Sequence, residues 1–97
     1  KPCPMEVKTL ITERKFFFYI EENGKRIANM VCSFAGETKF IIEHTEVDPE
    51  CEGRGLGRIL VKAAVDFARE KNLKIIPLCP YAKKVFDKSP EYKDVLN

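Results

Sequence analysis

The stretch that decides the fold is Val-Asp-Pro-Glu-Cys-Glu-Gly-Arg-Gly-Leu-Gly-Arg, residues 47–58. A β-rich segment ends in it, and an amphipathic helical pattern begins at once after it. Its glycines allow the backbone to approach a ligand closely, and the free N–H groups at the start of a helix attract anions. The stretch therefore predicts a cradle for a pyrophosphate group. A glycine-rich turn without any ligand has the same pattern.

The glycine spacing fits the common nucleotide-binding loops poorly. Gly53, Gly55 and Gly57 alternate, and Arg58 stands where a dinucleotide fingerprint has its third glycine. The sequence G-x-x-x-x-G-K-[ST] is also absent from the chain, so a P-loop is a poor fit as well.

The hydrophobic pattern on both sides of this stretch predicts the secondary structure. Alternation of Phe16, Phe18 and Ile20 predicts a strand over 15–22, and β-branched and aromatic residues predict one over 39–47. A short strand over 5–11 is also expected, and Asn23-Gly24 predicts a hairpin turn that leads into a strand over 26–34. A helix of about four turns follows and ends at Asn72. Its predicted apolar stripe consists of Leu56, Ile59, Leu60, Ala63, Ala64, Phe67 and Ala68.

The remaining segments complete the predicted fold. A buried strand over 73–78 is expected to run parallel to the strand ending at Val47. Helical spacing over 82–87 predicts a short helix, and Pro80 just before it suits the first helical position. Another short helix is expected to start at Ser89 and end at Asn97. The prediction is an α/β (α+β) fold, an antiparallel meander followed by a β-α-β unit, in a single domain over residues 1–97.

Composition limits the function classes. Of the 97 residues 44% are hydrophobic and 33% charged, and no apolar run reaches the length of a membrane span. No signal peptide precedes the first strand, so we expect a cytoplasmic protein with free thiols and no membrane association. Four separated cysteines without a C-x-x-C pair argue against a metal site. We read Cys3, Cys32 and Cys51 as packing or surface residues.

The charge distribution favours a small anionic ligand. Residues 1–50 carry seven Lys/Arg and nine Asp/Glu, a net −2, whereas residues 51–97 carry ten and six, a net +4. The positive half contains the glycine-rich stretch, although so small an imbalance also arises by chance. Nucleic acid is disfavoured as a partner because acids are interspersed with the basic residues.

With this order of elements the chain resembles the GNAT superfamily of N-acetyltransferases over residues 5–97. The family signature Q/R-x-x-G-x-G/A at the start of the central helix is matched by residues 52–57, with Glu52 in place of Gln or Arg. Residues 44–47 (His-Thr-Glu-Val) and 79–83 (Cys-Pro-Tyr-Ala-Lys) resemble, more narrowly, the minimal GNAT-like group typified by YjdJ-type bacterial proteins.

The resemblance implies transfer of an acetyl group from acetyl-CoA to an amine. The strand ending at Val47 would splay from the strand at 73–78, and the pantetheine arm of CoA would enter the gap. Thr45 and Val47 would offer main-chain groups to that arm, and a nearby amide would polarise the thioester carbonyl. The implied pyrophosphate-binding residues are Gly53, Arg54, Gly55, Leu56, Gly57 and Arg58.

Four side chains are candidates for the chemistry. Cys79 precedes a helix start, where the positive end of the dipole favours a thiolate. The resemblance makes it an acetyl-carrying nucleophile or a proton donor to the CoA thiolate. From sequence alone, a buried apolar residue is the favoured interpretation. His44 or Glu46 would be the base, although a lone histidine more often only packs. Tyr81 is either a proton donor or an aromatic anchor.

The acceptor and the assembly are less constrained. The chain has no helical segment between its first two strands, and in this superfamily helices there usually wall the acceptor site. We therefore expect an open site for a small amine or a protein lysine, in a monomer or weak homodimer, and no metal. The alternatives are a non-catalytic acyl-CoA-binding or interaction module and a phosphate-binding regulatory domain unrelated to CoA.

Overall fold

Four antiparallel strands precede the glycine-rich stretch in the computed structural model, which describes residues 7–96. They are β1 (Val7–Ile11), β2 (Lys15–Glu22), β3 (Lys25–Phe34) and β4 (Lys39–Val47). They pair in chain order, which confirms the predicted meander. The predicted start of the first strand at Met5 lies outside the described residues.

The turn between β2 and β3 follows directly from its two residues. Asn23 and Gly24 both have positive φ, 53° and 77°. Asn and Gly adopt this left-handed region most readily, and two such residues in succession form the turn whose twist matches that of a hairpin. The hairpin predicted at Asn23-Gly24 is therefore confirmed.

The second half of the chain contains one long helix and one parallel strand. A 3₁₀ turn (Pro49–Cys51) leads to α1 (Leu56–Lys71), which ends at Asn72 with a φ of 58°. Strand β5 (Lys74–Pro77) follows and pairs parallel to β4 at the edge of the sheet, as predicted but over a shorter range.

The C-terminal segments differ in part from the prediction. Helix α2 (Pro80–Lys88) has its proline in the first turn, as expected, and extends beyond the predicted 82–87. The last helical segment is a 3₁₀ turn (Pro90–Val95) and not an α-helix, and Leu96 leaves it to bridge to Ile75 of β5. The predicted end at Asn97 lies outside the described residues.

The core lies between the sheet and α1, with a cluster of phenylalanine rings at one end. The Phe16 ring lies 4.7–5.6 Å, between centroids, from four other rings, those of Phe18, Phe34, Phe40 and Phe67. Phe16 and Phe18 are buried, and Cys32 is fully buried among core residues. Within residues 7–96 no helix combines the length and the apolar character that a bilayer crossing requires.

The buried face of α1 is wider than the predicted stripe. Leu56, Leu60, Ala64 and Ala68 are buried as expected, whereas Ile59, Ala63 and Phe67 are only partly buried. Val61 and Val65, which the stripe omitted, are fully buried. The reason is that α1 packs against α2 and the C-terminal 3₁₀ turn as well as against the sheet.

Candidate active site

A gap opens between β4 and β5 at the centre of the candidate site. Their parallel ladder ends at the pair Ile42 and Pro77. The Ile42 carbonyl oxygen accepts hydrogen bonds from the amides of Leu78, at 3.2 Å, and Cys79, at 3.1 Å. Beyond that point β4 continues to Val47, whereas the other chain segment turns away into α2. The predicted splay of the two strands is therefore present.

A cavity of about 400 Å³ lies beside the end of β4, where the strand pairs with β3 but no longer with β5. It extends from β4 along the glycine-rich loop to the first turn of α1, and the first turn of α2 closes its side. Its lining consists of Thr45, Val47, Cys51, Glu52, Gly53, Gly55, Leu56, Gly57 and Tyr81. Seven of these nine residues belong to the predicted site, and Cys51 and Glu52 do not.

The start of α1 presents main-chain donors to this cavity. Gly55 is the N-cap with a φ of 77°, and no side chain caps the helix. The first helical hydrogen bond is donated by the Ile59 amide to the Gly55 carbonyl oxygen, at 3.2 Å. The amides of Leu56, Gly57 and Arg58 come before it, and the first turn carries no acidic residue. Such a helix start attracts an anion.

The ring of Tyr81 packs directly on Gly57. A Cβ atom added to Gly57 would lie 2.5–2.6 Å from the Cε2, Cζ and Oη atoms of Tyr81, well inside van der Waals contact. Position 57 therefore has room for a side chain only if the Tyr81 ring moves. Tyr81 is 39% exposed and lies at the boundary of the cavity, as an aromatic anchor does.

Cys79 lies beneath the cavity, at the N-cap of α2. It is 6% exposed, and its Sγ atom donates a hydrogen bond to Oγ1 of Thr45 at 3.6 Å. Burial raises the pKa of the thiol, but the Ala82 amide at the start of α2 and the Thr45 hydroxyl oppose this, and the net pKa is lowered. Cys79 does not itself line the cavity; Thr45, its partner, does.

Comparison with known proteins assigns the family. A protein-family model described as GCN5-related N-acetyl-transferase matches residues 15–95. The chain belongs to this family. It is therefore a GNAT-type acyltransferase, as the resemblance predicted, and the gap, the glycine-rich loop and α1 all lie within the matched range.

Relatives of similar length support the assignment. Protein NATD1 of Gallus gallus is 32% identical to this GNAT over 88 residues, which is 91% of this chain and 79% of the relative. Protein NATD1 of Homo sapiens is likewise 32% identical over 88 residues, covering 91% and 77%. A GCN5-like protein of Staphylococcus aureus, solved by NMR, superimposes with a TM-score of 0.73 and 38% identity, covering 96% of this chain and 88% of that one.

More distant structures share the fold. The ribosomal-protein-S18-alanine N-acetyltransferase of Escherichia coli superimposes with a TM-score of 0.67 at 20% identity, covering 80% of this chain and 53% of that one. At that identity the likeness concerns the fold alone.

The arginines of the GNAT signature region do not reach into the cavity. Arg54 forms a bidentate ion pair with Glu22, with N–O distances of 2.7 and 3.1 Å, and its Nη1 atom lies 3.7 Å from Sγ of Cys51. Arg58 extends its side chain into a neighbouring cavity. The structure thus places both arginine side chains beside the predicted cradle, and neither arginine lines the cavity.

A β-bulge sorts the residues of β4 between the two faces of the sheet. The register with β3 shifts between the pairs Cys32–Ile42 and Val31–His44, so Glu43 is the extra residue. After it, Thr45 pairs with a buried position of β3 and faces the cavity. His44 and Glu46 are exposed together on the outer face. The two candidate bases therefore lie on the opposite side of β4 from Cys79.

Sequence reasoning missed the two ion pairs by which the β2–β3 hairpin supports the glycine-rich loop. Glu22 holds Arg54, and Lys25 forms a 2.9 Å ion pair with Asp48, whose other oxygen accepts from the Glu50 amide at 3.0 Å. Both contacts connect the tip of the β2–β3 hairpin to the segment around the 3₁₀ turn. No local sequence signal marks them, since the Glu22–Arg54 partners are 32 residues apart.

The described cysteines carry free thiols, and the described residues form no metal-binding cluster. Cys51 and Cys79 are free thiols, as is Cys32 in the core, and Cys3 lies outside the described residues. Across the described range no group of His, Cys, Asp and Glu side chains is arranged to hold a metal ion.

Proposed function

We propose that this GNAT domain transfers an acetyl group from acetyl-CoA to an amine. The observation that carries the proposal is the cavity of about 400 Å³. It joins a helix start suited to a pyrophosphate to the part of β4 that no longer pairs with β5. CoA matches both features in one molecule, because its flexible pantetheine arm is attached to its pyrophosphate. The family uses acetyl-CoA as its cosubstrate, which supports the same donor here.

The main chain would supply most of the donor binding. The amides of Leu56, Gly57 and Arg58 are suited to the pyrophosphate, because they precede the first helical hydrogen bond of α1. Thr45 and Val47 border the cavity along the gap, and their main-chain groups would bind the pantetheine arm. An amide directed at the thioester oxygen stabilises the developing oxyanion, an effect of about 3 kcal/mol in a comparable site.

Cys79 would act at the far end of this arm in one of two ways. As a proton donor, its S–H gives a proton to the departing CoA thiolate after direct attack by the amine. As a nucleophile, its thiolate attacks the thioester, releases CoA and carries the acetyl group until the amine takes it. The hydrogen bond to Thr45, which borders the cavity, connects the thiol to the donor in either role.

The acceptor amine would approach from the outer face of the sheet. His44 and Glu46 are exposed there and are the groups available to take a proton from the ammonium form of the substrate. Leu78, next to the gap, is 65% exposed. No helix separates β1 from β2, so this face is open. An open face suits a polyamine or a lysine side chain.

Calorimetry with CoA, acetyl-CoA and adenosine monophosphate tests donor binding. We expect saturable binding of both CoA species and weak or no binding of the monophosphate, because only the former fill the gap as well as the cradle. CoA release in the presence of polyamines and lysine peptides then tests transfer. Cys79→Ala should reduce turnover while CoA affinity is retained, and unchanged turnover would refute a role for the thiol.

A further inference from the structure

A second cavity lies on the far side of Tyr81 from the first. Its volume is about 270 Å³, and it is formed between the first turn of α1 and one face of α2. Its lining consists of Arg58, Tyr81, Lys84, Val85, Lys88 and Ser89, three of which are cations and none an acid. The ion pairs found within residues 7–96 involve none of these three cations.

The two cavities are adjacent at two residues. Tyr81 lines both of them. Arg58 contributes its amide to the start of α1 and its side chain to the second cavity. A ligand whose pyrophosphate sits on these amides therefore has two directions available. One leads along the gap to Thr45, and the other passes Tyr81 toward Lys84 and Lys88.

CoA has the chemistry that matches both directions. Its pyrophosphate separates the pantetheine arm from a ribose that carries a 3′-phosphate. We propose that Arg58, Lys84 and Lys88 bind this 3′-phosphate, so that the protein distinguishes CoA from 3′-dephospho-CoA. The inference rests on the proposed function, because it names a second contact of the same donor.

The charges make this contact selective and dependent on salt. A phosphate monoester carries close to two negative charges near pH 7, and Arg offers a planar pair of donors to it while Lys acts as a point charge. All three side chains are exposed, so solvent and salt weaken their attraction. We expect CoA to bind about tenfold more tightly than 3′-dephospho-CoA at low ionic strength, and the ratio to shrink as salt is added.

Calorimetric affinities for CoA and 3′-dephospho-CoA, measured on three proteins, test the inference. The first is the wild type, and the second is the double variant Lys84→Gln/Lys88→Gln. The third is Lys83→Gln, which removes one positive charge from a neighbouring exposed position of α2 outside the cavity. Circular dichroism melts of the three proteins serve as the control that these surface changes leave the fold intact.

The expected result is a loss of discrimination in the double variant only. Its affinity for CoA should fall to nearly that for 3′-dephospho-CoA, while the affinity for 3′-dephospho-CoA stays at the wild-type value. Lys83→Gln should keep the wild-type ratio. Equal affinities of the wild type for the two ligands, or an equal loss for both in the double variant, would overturn the inference and leave the proposed function standing. Failure of the wild type to bind either ligand would overturn both.

Discussion

Gly57 offers a test of whether the third glycine of the signature serves a ligand or a protein contact. In Gly57→Ala the new methyl group would lie 2.5–2.6 Å from three atoms of the Tyr81 side chain, about 1 Å closer than carbon atoms normally approach. Those atoms are the far end of a side chain that is 39% exposed, so the ring can swing outward. The variant should therefore fold, with Tyr81 displaced from its place between the two cavities.

The expected effect on stability is small because two contributions oppose each other. Replacing Gly by Ala in a helix stabilises by up to about 1 kcal/mol. Displacing the Tyr81 ring removes packing of similar magnitude, so the free energy of unfolding should stay within about 1 kcal/mol of the wild type. In a Tyr81→Ala background the clash is absent, and Gly57→Ala should stabilise by the full helix-propensity gain.

A double-mutant cycle separates the two explanations. Urea unfolding of the wild type, Gly57→Ala, Tyr81→Ala and the double variant should give a coupling of about 1 kcal/mol between the two sites. CoA affinity, measured on the same four proteins, should fall with Gly57→Ala only where Tyr81 is present. Equal loss of CoA affinity in both backgrounds would mean that the ligand itself needs the space, and the ring argument would be refuted.

Three further perturbations test other parts of the site. Gly55→Val places a β-branched residue at a φ of 77°. We expect the free energy of unfolding, measured in urea, to fall by about 1–2 kcal/mol. Glu22→Gln releases Arg54 from an exposed ion pair, so its small destabilisation at low salt should vanish at high salt; a salt-independent loss would contradict the charge argument. The pKa of Cys79 is lowered, and the two proposed roles of its thiol predict opposite dependences of turnover on pH around that pKa. Turnover falls as pH rises through that pKa if the thiol donates a proton, and rises if the thiolate attacks; Cys79→Ala should remove either change.

The fold was predictable where the signal is local. Alternating hydrophobic residues predicted the bounds of β2, and β-branched and aromatic residues predicted those of β4. The positive φ values of Asn23 and Asn72 lie at the predicted ends of elements. Pro80 fixed the start of α2 and placed Cys79 at its cap. Each of these features depends on the backbone preferences of one or two residues.

The contacts that shape the site were not predictable because they join distant parts of the chain. The bulge at Glu43 depends on the register with β3, and it decides which residues of β4 face the cavity. The Cys79–Thr45 hydrogen bond spans 34 residues, and its partners were predicted to share a site but not to touch. The packing of Tyr81 on Gly57 also requires α1 and α2 to be adjacent, which periodicity within either helix does not reveal.

The distribution of charge around the site bears on the unusual residue of the signature, Glu52. This carboxylate lines the first cavity, and the arginine two positions later is neutralised by Glu22 from the other half of the chain. Attraction of an anion to the first cavity must then come mainly from main-chain amides and the dipole of α1, equivalent to about half a charge. Any side chain at position 52 leaves those amides in place, so the departure from Gln or Arg need not abolish binding. Three cations that form no ion pair within residues 7–96 lie instead in the second cavity, namely Arg58, Lys84 and Lys88. They are suited to a group with a higher charge density than a pyrophosphate diester. The +4 net charge of residues 51–97 would therefore act on the 3′-phosphate end of CoA more than on its pyrophosphate.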